Sequence, residues 1–214
     1  MTDSWLADTR NSYDVDVDAY AEQVRGLLDT NPYLRASLRL FADLVRDAGD
    51  GLVADVGCGP GYVTRELHDL GLDAFGIDLS PEMVAVARRD HPDLRFEHGT
   101  MTDLDIADAS LTGLVAFWSV IHVPDQFVPV AFGEFRRTLR PGGRLLVGFH
   151  VGDETVHTDE GYSGRPVNVR SYRRPTNRVA HWLRDAGFTI DAELSMRPDE
   201  PVPGAIILAS APTT

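Results

Sequence analysis

A glycine-rich turn carries the residues best suited to chemistry. The apolar run Val53–Val56 leads directly into Gly57, Gly59 and Gly61, and a helical pattern follows. Glycines in such a turn let the backbone approach a ligand closely, and in an open α/β sheet the ligand crevice lies outside the carboxyl ends of the strands. The turn therefore predicts a ligand site.

An acidic residue follows this turn at the end of the next apolar segment. Asp78 closes Asp73–Asp78, where a carboxylate can accept hydrogen bonds from ribose hydroxyls. Dinucleotide-binding folds also combine a glycine turn with a later acid, but their G-x-G-x-x-G pattern requires a glycine where this chain has Tyr62. The observed spacing is D-x-G-x-G-x-G, beginning at Asp55, which argues against a nicotinamide cofactor.

These residues lie in a part of the chain where short apolar runs alternate with amphipathic stretches. This alternation is typical of βαβ units, whose strands and helices would position the residues. The predicted strands are Leu52–Val56, Asp73–Asp78, Leu94–Glu97, Gly113–Trp118, Arg144–Phe149, Thr189–Met196 and Ala205–Ser210. The predicted helices between them are Tyr62–Leu70, Pro81–Asp90, Pro129–Leu139 and Thr176–Ala186. Upstream, Tyr20–Ala48 predicts two helices separated at Asn31-Pro32. The polar segment Val151–Pro175 interrupts the alternation, and we expect an inserted loop.

Composition narrows the classes of function. The 214 residues include 43% hydrophobic residues and carry a formal net charge of −13. A single domain is expected, and an acidic chain without a dense basic run disfavours a nucleic-acid or membrane partner. Cys58 is the only cysteine, so no internal disulfide can form. Because Met1–Arg10 lacks the features of a signal peptide, we expect a cytoplasmic protein, as a monomer or homodimer.

Three segments together resemble the motifs of class I S-adenosylmethionine-dependent methyltransferases. They are Asp55–Gly61, Gly76–Met83 and Arg140–Gly143, and they occur in the order and spacing of that family. The resemblance covers roughly Tyr13 to the C-terminus. It implies an α/β fold, Rossmann-like and doubly wound, with a seven-stranded, mostly parallel sheet whose last strand is antiparallel, helices on both faces and an N-terminal helical lid.

The resemblance also implies how one methyltransferase domain, 1–214, is divided. The expected parts are an N-terminal helical lid (1–50), a cofactor-binding core (51–150), an acceptor-facing insert (151–175), and a C-terminal helix and β-hairpin (176–214).

Site residues follow from the same motifs. The resemblance implies that the loop holding Cys58 and its three glycines cradles the methionine part of S-adenosylmethionine, that Asp55 orders this loop from beneath, and that Asp78 binds the ribose. The remaining implied cofactor contacts are Tyr13 and Tyr20 in the lid, Leu79, Met83, Thr100 and Met101 around the adenine, and Ser119 near the amino acid end. Members of the family often carry an aspartate at the position of Thr100, which accepts a hydrogen bond from the adenine amino group. In this chain, Thr100 or the backbone of Met101 would have to accept that hydrogen bond.

The implied reaction is an in-line displacement that yields S-adenosylhomocysteine, and much of its rate can come from holding donor and acceptor in line. A base is needed only if the acceptor must lose a proton. His122 is our first candidate and His150 our second, because both follow strands at the crevice and imidazole titrates near neutral pH; a structural role is the alternative for each. The acceptor is expected to be a small molecule, with oxygen, nitrogen, sulfur and carbon all open as the methylated atom.

Three further interpretations concern the insert and the protein class. We expect Arg170, Arg173 and Arg174 to be solvated. The alternative is that these arginines bind an anionic acceptor. The acidic residues of the insert lack a fixed helical spacing, so no metal is predicted. A non-catalytic S-adenosylmethionine-binding regulatory or scaffold protein, and a nucleic-acid methyltransferase, remain competing functions; the charge disfavours the second.

Overall fold

The computed structural model describes residues 4–213 and contains a large central sheet. Its strands are β1 (Leu52–Val56), β2 (Asp73–Asp78), β3 (Arg95–His98), β4 (Leu111–Phe117), β5 (Leu139–His150), β8 (Thr189–Met196) and β9 (Gly204–Ser210); β6 (Thr155–Glu160) and β7 (Pro166–Tyr172) form a separate pair. The order across the large sheet is β3-β2-β1-β4-β5-β9-β8. Only β9 runs antiparallel to its neighbours β5 and β8, which confirms the predicted fold class.

Eight α-helices lie among the described residues. They are α1 (Ser4–Val15), α2 (Val17–Val24), α3 (Leu27–Thr30), α4 (Pro32–Ala48), α5 (Tyr62–Asp69), α6 (Pro81–Asp90), α7 (Val128–Thr138) and α8 (Thr176–Asp185). Short 3-10 turns at Val120–His122 and Asp125–Phe127 follow β4. No helix of residues 4–213 has the length and apolar character needed to cross a membrane.

The N-terminal prediction was partly wrong. Three helices rather than two lie between residues 17 and 48, because Gly26 adopts a left-handed φ of 70° and breaks the first predicted helix. The predicted break at Asn31-Pro32 is confirmed: the Asn31 side chain accepts a hydrogen bond from the N–H of Leu34 at 3.3 Å, and Pro32 occupies the first turn.

Helices cover both faces of the sheet because strand side chains alternate between them. On one face, Phe41 of α4 and Leu67 of α5 pack in one cluster with Val53. On the other face, Phe132 of α7 joins the cluster that contains Ala54. These two layers hold the strands rigidly, and the strand order reverses between β1 and β4, the point where an open α/β sheet forms its ligand crevice.

The segment Val151–Pro175, predicted as a loop, is a β-hairpin. Strand β6 pairs antiparallel with β7, and β7 packs against α1. Val167 and Val169 turn towards the interior while Asn168 and Arg170 are exposed. This period of two is the signal of a half-buried strand, and it was present in the sequence.

Candidate active site

A cavity of about 710 Å³ opens at the carboxyl ends of β1, β2 and β4, beneath α1. Its lining comes from five parts of the chain: helices α1 and α2, the glycine loop, the end of β2 with the start of α6, the segment after β3, and the segment after β4. The lining residues are Trp5, Leu6, Thr9, Arg10, Tyr13, Tyr20, Val56, Gly57, Gly59, Asp78, Leu79, Ser80, Met83, Gly99, Thr100, Met101, Phe117, Trp118, Ser119, His122 and Val123.

The glycine loop is held open by its conformation and by contacts with β2. Gly57 has a φ of 78°, in the left-handed region that favours glycine. The backbone N–H groups of Gly57 and Cys58 both donate to the carbonyl of Ile77, at 2.7 and 3.0 Å. A Cβ added at Gly57 would overlap the Cβ of Ser119. Glycine is therefore required where the loop passes the segment after β4.

Asp78 connects the end of β2 to the glycine loop. One carboxylate oxygen accepts from the N–H of Gly59 at 2.7 Å, and the other accepts from the N–H of Ser80 at 2.8 Å. Burial raises the pKa of Asp78, and the two backbone hydrogen bonds partly offset this increase. Because a carboxylate can accept about four hydrogen bonds, Asp78 keeps acceptor capacity for a ligand in the cavity.

Three residues of the motif lie behind the cavity rather than in its lining. Asp55 is buried and accepts a hydrogen bond from the Thr64 hydroxyl at 2.7 Å, and burial raises its pKa to about 7. The buried thiol of Cys58 lies near Gly76, and the position of a Cβ on Gly61 faces the ring of Phe96. These residues support the loop from beneath.

Part of the cavity lining comes from α6, from the segments after β2 and β3, and from α1. Met83 is buried, and Leu79, Thr100 and Met101 are half-buried in the same wall. Trp5 of α1 stacks against Phe127 with ring centroids 5.7 Å apart. Its indole N–H has no hydrogen-bond partner among the described residues, so a ligand acceptor atom is a suitable partner for it.

Tyr13 and His122 meet where α1 contacts the segment after β4. The Tyr13 hydroxyl lies 2.7 Å from Nε2 of His122, and Nδ1 of His122 lies 2.9 Å from the carbonyl oxygen of Arg170. A carbonyl oxygen only accepts, so Nδ1 carries the proton and Nε2 accepts from Tyr13 in the neutral imidazole. Burial lowers the pKa of His122 to about 4, which keeps this neutral form.

A second, wider cavity of about 1130 Å³ adjoins the first. The two cavities share five wall residues, namely Tyr13, Tyr20, Phe117, Trp118 and His122. His150 lines only the second cavity of these two, and its Nδ1 accepts from the indole N–H of Trp118 at 3.2 Å. Burial lowers the pKa of His150, and Arg173 contributes to the decrease.

The described part of the chain offers no group of three or more His, Cys, Asp or Glu side chains arranged to hold a metal ion. Arg174, expected to be solvated, is instead buried. It pairs with Asp125 at 2.9 Å and donates to the carbonyls of Val120 and Val123. This arginine supports the turn that carries His122 and lines neither of the two adjoining cavities.

Known proteins resemble the part of this chain that carries the site. The family model described as a methyltransferase domain matches residues 53–143, the part that contains the glycine loop and Asp78. A probable S-adenosylmethionine-dependent methyltransferase from Mycolicibacterium smegmatis is 32% identical over 126 residues, covering 58% of this chain and 48% of that protein. Residues 53–143 therefore match a methyltransferase domain, and the relatives that share this region include S-adenosylmethionine-dependent methyltransferases.

Two longer matches extend beyond residues 53–143. An O-methyltransferase from Penicillium expansum is 28% identical over 205 residues, covering 86% of this chain and 72% of that protein. The solved structure of magnesium protoporphyrin IX methyltransferase from Synechocystis PCC 6803, with bound S-adenosylmethionine, aligns with a TM-score of 0.74 at 17% identity, over 99% of this chain and 98% of that one. This second likeness is one of fold. The chain spans less than half the length of the first four curated bacterial relatives.

The fold brings most of the residues predicted from the sequence into one cavity. Of the predicted cofactor and catalytic residues, those that line it are Tyr13, Tyr20, Gly57, Gly59, Asp78, Leu79, Met83, Thr100, Met101, Ser119 and His122; Asp55, Cys58, Gly61 and His150 lie outside its lining. Tyr13 of α1 was predicted from the sequence, but the other lining residues of that helix were missed, namely Trp5, Leu6, Thr9 and Arg10. An apolar pair such as Trp5-Leu6 in a polar N-terminal stretch was the available signal.

Proposed function

We propose that this methyltransferase binds S-adenosylmethionine in the cavity beneath α1 and transfers its methyl group to a small-molecule acceptor in the adjoining cavity, giving S-adenosylhomocysteine. The observation that carries the proposal is the shared wall between the two cavities. A donor on one side and an acceptor on the other then meet at Tyr13, Phe117 and His122.

The residues of the first cavity fit the proposed cofactor. Gly57 and Gly59 give backbone access without side chains, and the free acceptor positions of Asp78 suit ribose hydroxyls. Leu79 and Met83 offer an apolar surface for the adenine. Thr100 replaces the expected aspartate, and its hydroxyl lies 3.0 Å from that of Thr102. This hydroxyl can accept from an adenine amino group.

The chain contributes to the reaction chiefly by position. A sulfonium supplies an already activated methyl group, so the transfer needs an acceptor atom held in line with it and shielded from water. The lid provides the shield, because Tyr13 and Tyr20 close the cavity from α1 and α2. Ser119 donates to the carbonyl of Val56 at 2.7 Å, which fixes the floor beside the glycine loop.

A small molecule is the favoured acceptor for two reasons. The net charge of −13 disfavours a phosphate backbone as partner. The relative of matching fold from Synechocystis carries the name of a small-molecule methyltransferase. We propose that residues 51–150 form the core of one domain, with the hairpin 151–175 placed over the acceptor.

The first test is calorimetric titration of the chain with S-adenosylmethionine and S-adenosylhomocysteine, with NADH as the control ligand. We expect both sulfur ligands to bind and NADH not to bind. Formation of S-adenosylhomocysteine is then followed with a panel of small acceptors. Failure of a folded protein to bind either sulfur ligand would overturn the cofactor assignment, whereas binding without transfer to any acceptor would favour a regulatory or scaffold protein.

A further inference from the structure

The Tyr13–His122 pair stands at the junction of the two cavities. Tyr13 comes from the lid and His122 from the turn after β4, yet their polar atoms lie 2.7 Å apart and both residues line both cavities. This location brings the Tyr13 hydroxyl to the place where donor and acceptor would meet.

The direction of each hydrogen bond is fixed by the carbonyl of Arg170. Because that oxygen accepts from Nδ1 of His122 at 2.9 Å, Nε2 carries a lone pair and the Tyr13 hydroxyl donates to it. The phenol oxygen keeps its own lone pairs free. A hydroxyl group in this state can accept a proton from a bound molecule while passing its own proton to the imidazole.

The second cavity indicates what kind of molecule would be deprotonated. Its aromatic wall residues are Tyr13, Tyr20, Tyr33, Tyr62, Phe117, Trp118 and Tyr162. Flat rings stack on such walls or meet them edge to face. Tyr13 and Tyr20 themselves meet edge to face, with centroids 5.3 Å apart, and Tyr162 lies 5.6 Å from Tyr20.

Charge complementarity points to an uncharged acceptor. The lining includes one arginine and one glutamate, Arg197 and Glu200, and these two pair with each other at 3.6 Å. Neither is left to neutralise a charged ligand. The remaining titratable side chains of this wall are histidines and tyrosines.

We propose that the acceptor is a neutral hydroxylated aromatic compound, a phenol, and that Tyr13 is the catalytic residue that takes its hydroxyl proton while His122 positions Tyr13 and receives the tyrosine proton. This inference rests on the proposed function. The phenol oxygen bonds to the methyl carbon, the bond from sulfur to that carbon breaks, and its electron pair stays on sulfur. One proton passes from the acceptor to Tyr13 as another passes from Tyr13 to Nε2 of His122, and the imidazolium later releases it to water.

Charge is conserved within the site during this step. The sulfonium loses its positive charge as the imidazole gains one, so no net charge has to be created in the site. Burial lowers the pKa of His122 and raises that of Tyr13. The groups that act on the pair are Tyr20, Tyr162, Asp78 and Tyr62 beside Tyr13, and His150 and Arg174 beside His122.

The test compares two phenols that differ in acidity but not in shape around the hydroxyl. With the full chain and S-adenosylmethionine, 1-naphthol must lose a proton during transfer, whereas 4-nitro-1-naphthol is already ionised at neutral pH. We expect Tyr13→Phe and His122→Gln to lower kcat with 1-naphthol by about 100-fold or more, the range of general-base catalysis. The loss of kcat with 4-nitro-1-naphthol should be less than about tenfold, since no base is required there.

Nuclear magnetic resonance of the imidazole nitrogens gives a readout that does not depend on turnover. We expect a neutral His122 with the proton on Nδ1, and a shift of the Nε2 signal in Tyr13→Phe. Tyr172→Phe is the matched control, because Tyr172 lines neither cavity, and it should leave both kinetics and spectrum unchanged.

The outcomes distinguish the proposal about Tyr13 and the phenol from the proposal that the chain binds S-adenosylmethionine. An equal loss of kcat with both naphthols would overturn the role of Tyr13 as base, as would an unchanged Nε2 signal. A wild-type protein that binds S-adenosylmethionine but methylates neither naphthol would overturn the phenol assignment while the cofactor site stands. A folded wild type that does not bind S-adenosylmethionine would instead refute the proposed function itself.

Discussion

The carboxylate of Asp78, at the end of β2, accepts a hydrogen bond from the backbone N–H of Gly59 at 2.7 Å. The acid predicted to bind a ribose therefore also holds the glycine loop in place. We expect Asp78→Ala to weaken S-adenosylmethionine binding by roughly 10- to 100-fold, since hydrogen bonds to charged groups contribute about 1.5–3 kcal/mol. Isothermal titration calorimetry measures this change.

Asp73→Ala is the matched control for this prediction. Asp73 begins the same strand, is exposed, and lies at the opposite end from the cavity. Its replacement should leave the affinity unchanged. Equal affinities for Asp78→Ala and the wild type would contradict the placement of the ribose at Asp78.

Gly57 is expected to be intolerant of any side chain. A methyl group there would overlap Ser119, in addition to the strain of a φ of 78°. We expect Gly57→Ala to lower the free energy of unfolding by roughly 2–5 kcal/mol, the sum of left-handed strain and overpacking, and to abolish cofactor binding. Chemical denaturation and calorimetry provide the two readouts.

Gly71→Ala separates strain from overlap. Gly71 has a similar φ of 88°, but no atom lies within 4 Å of its added Cβ. This variant should lose only about 1–2 kcal/mol and keep its affinity for S-adenosylmethionine. Equal losses of free energy of unfolding in the two alanine variants would show that overlap with Ser119 does not destabilise Gly57→Ala.

Local signals made the core of the sheet predictable. Strand Asp73–Asp78 and helix Pro81–Asp90 have the predicted bounds, because Ser80 caps the helix through the N–H of Met83 and Pro81 fixes its first turn. The glycine spacing then predicted which loop would line a cavity. These features depend on residues close together in the chain.

The lid and the hairpin were harder to predict because their partners are distant. The carboxylate of Asp16 accepts from the N–H groups of Tyr162 and Ser163, and Ser12 accepts from the N–H of Asn168 at 2.9 Å. No sequence pattern in α1 or in the hairpin predicts these contacts. For the same reason the Tyr13–His122 bond could not be derived from spacing, although both residues were candidates.

The stability of the fold should depend on pH through Asp55. Burial raises the pKa of this carboxyl to about 7, whereas an unfolded aspartate titrates near 3.9. Between these two pH values the folded state therefore binds more protons than the unfolded state. The contribution of Asp55 to the free energy of unfolding is complete below the unfolded pKa and is lost as pH rises through about 7. Asp55→Asn removes this titration while an amide oxygen still accepts from Thr64.

We expect the difference in Tm between Asp55→Asn and wild type to be more positive at pH 8 than at pH 5.5, as measured by thermal unfolding at both values. Asp50→Asn, an exposed neighbour just before β1, should show the same difference at both. A pH-independent difference for Asp55→Asn would show that this carboxyl titrates normally in the folded protein.

Arg174 is the buried charge on which the turn of His122 depends. Its guanidinium bonds to Asp125 and to two backbone carbonyls of that turn, Val120 and Val123, while burial lowers its pKa and the bond to Asp125 partly offsets the decrease. Arg174→Ala leaves these acceptors unpaired, so we expect a loss of roughly 3–5 kcal/mol in the free energy of unfolding.

Arg178 supplies the control, because it pairs with the same carboxylate at 3.7 Å from a partly exposed position. Arg178→Ala should cost about 1 kcal/mol or less, as exposed ion pairs do. Urea denaturation of both variants compares the two pairs directly. A loss for Arg174→Ala no larger than that for Arg178→Ala would mean that water satisfies the turn carbonyls, and the position of His122 would then have to be attributed to its bond with the Arg170 carbonyl.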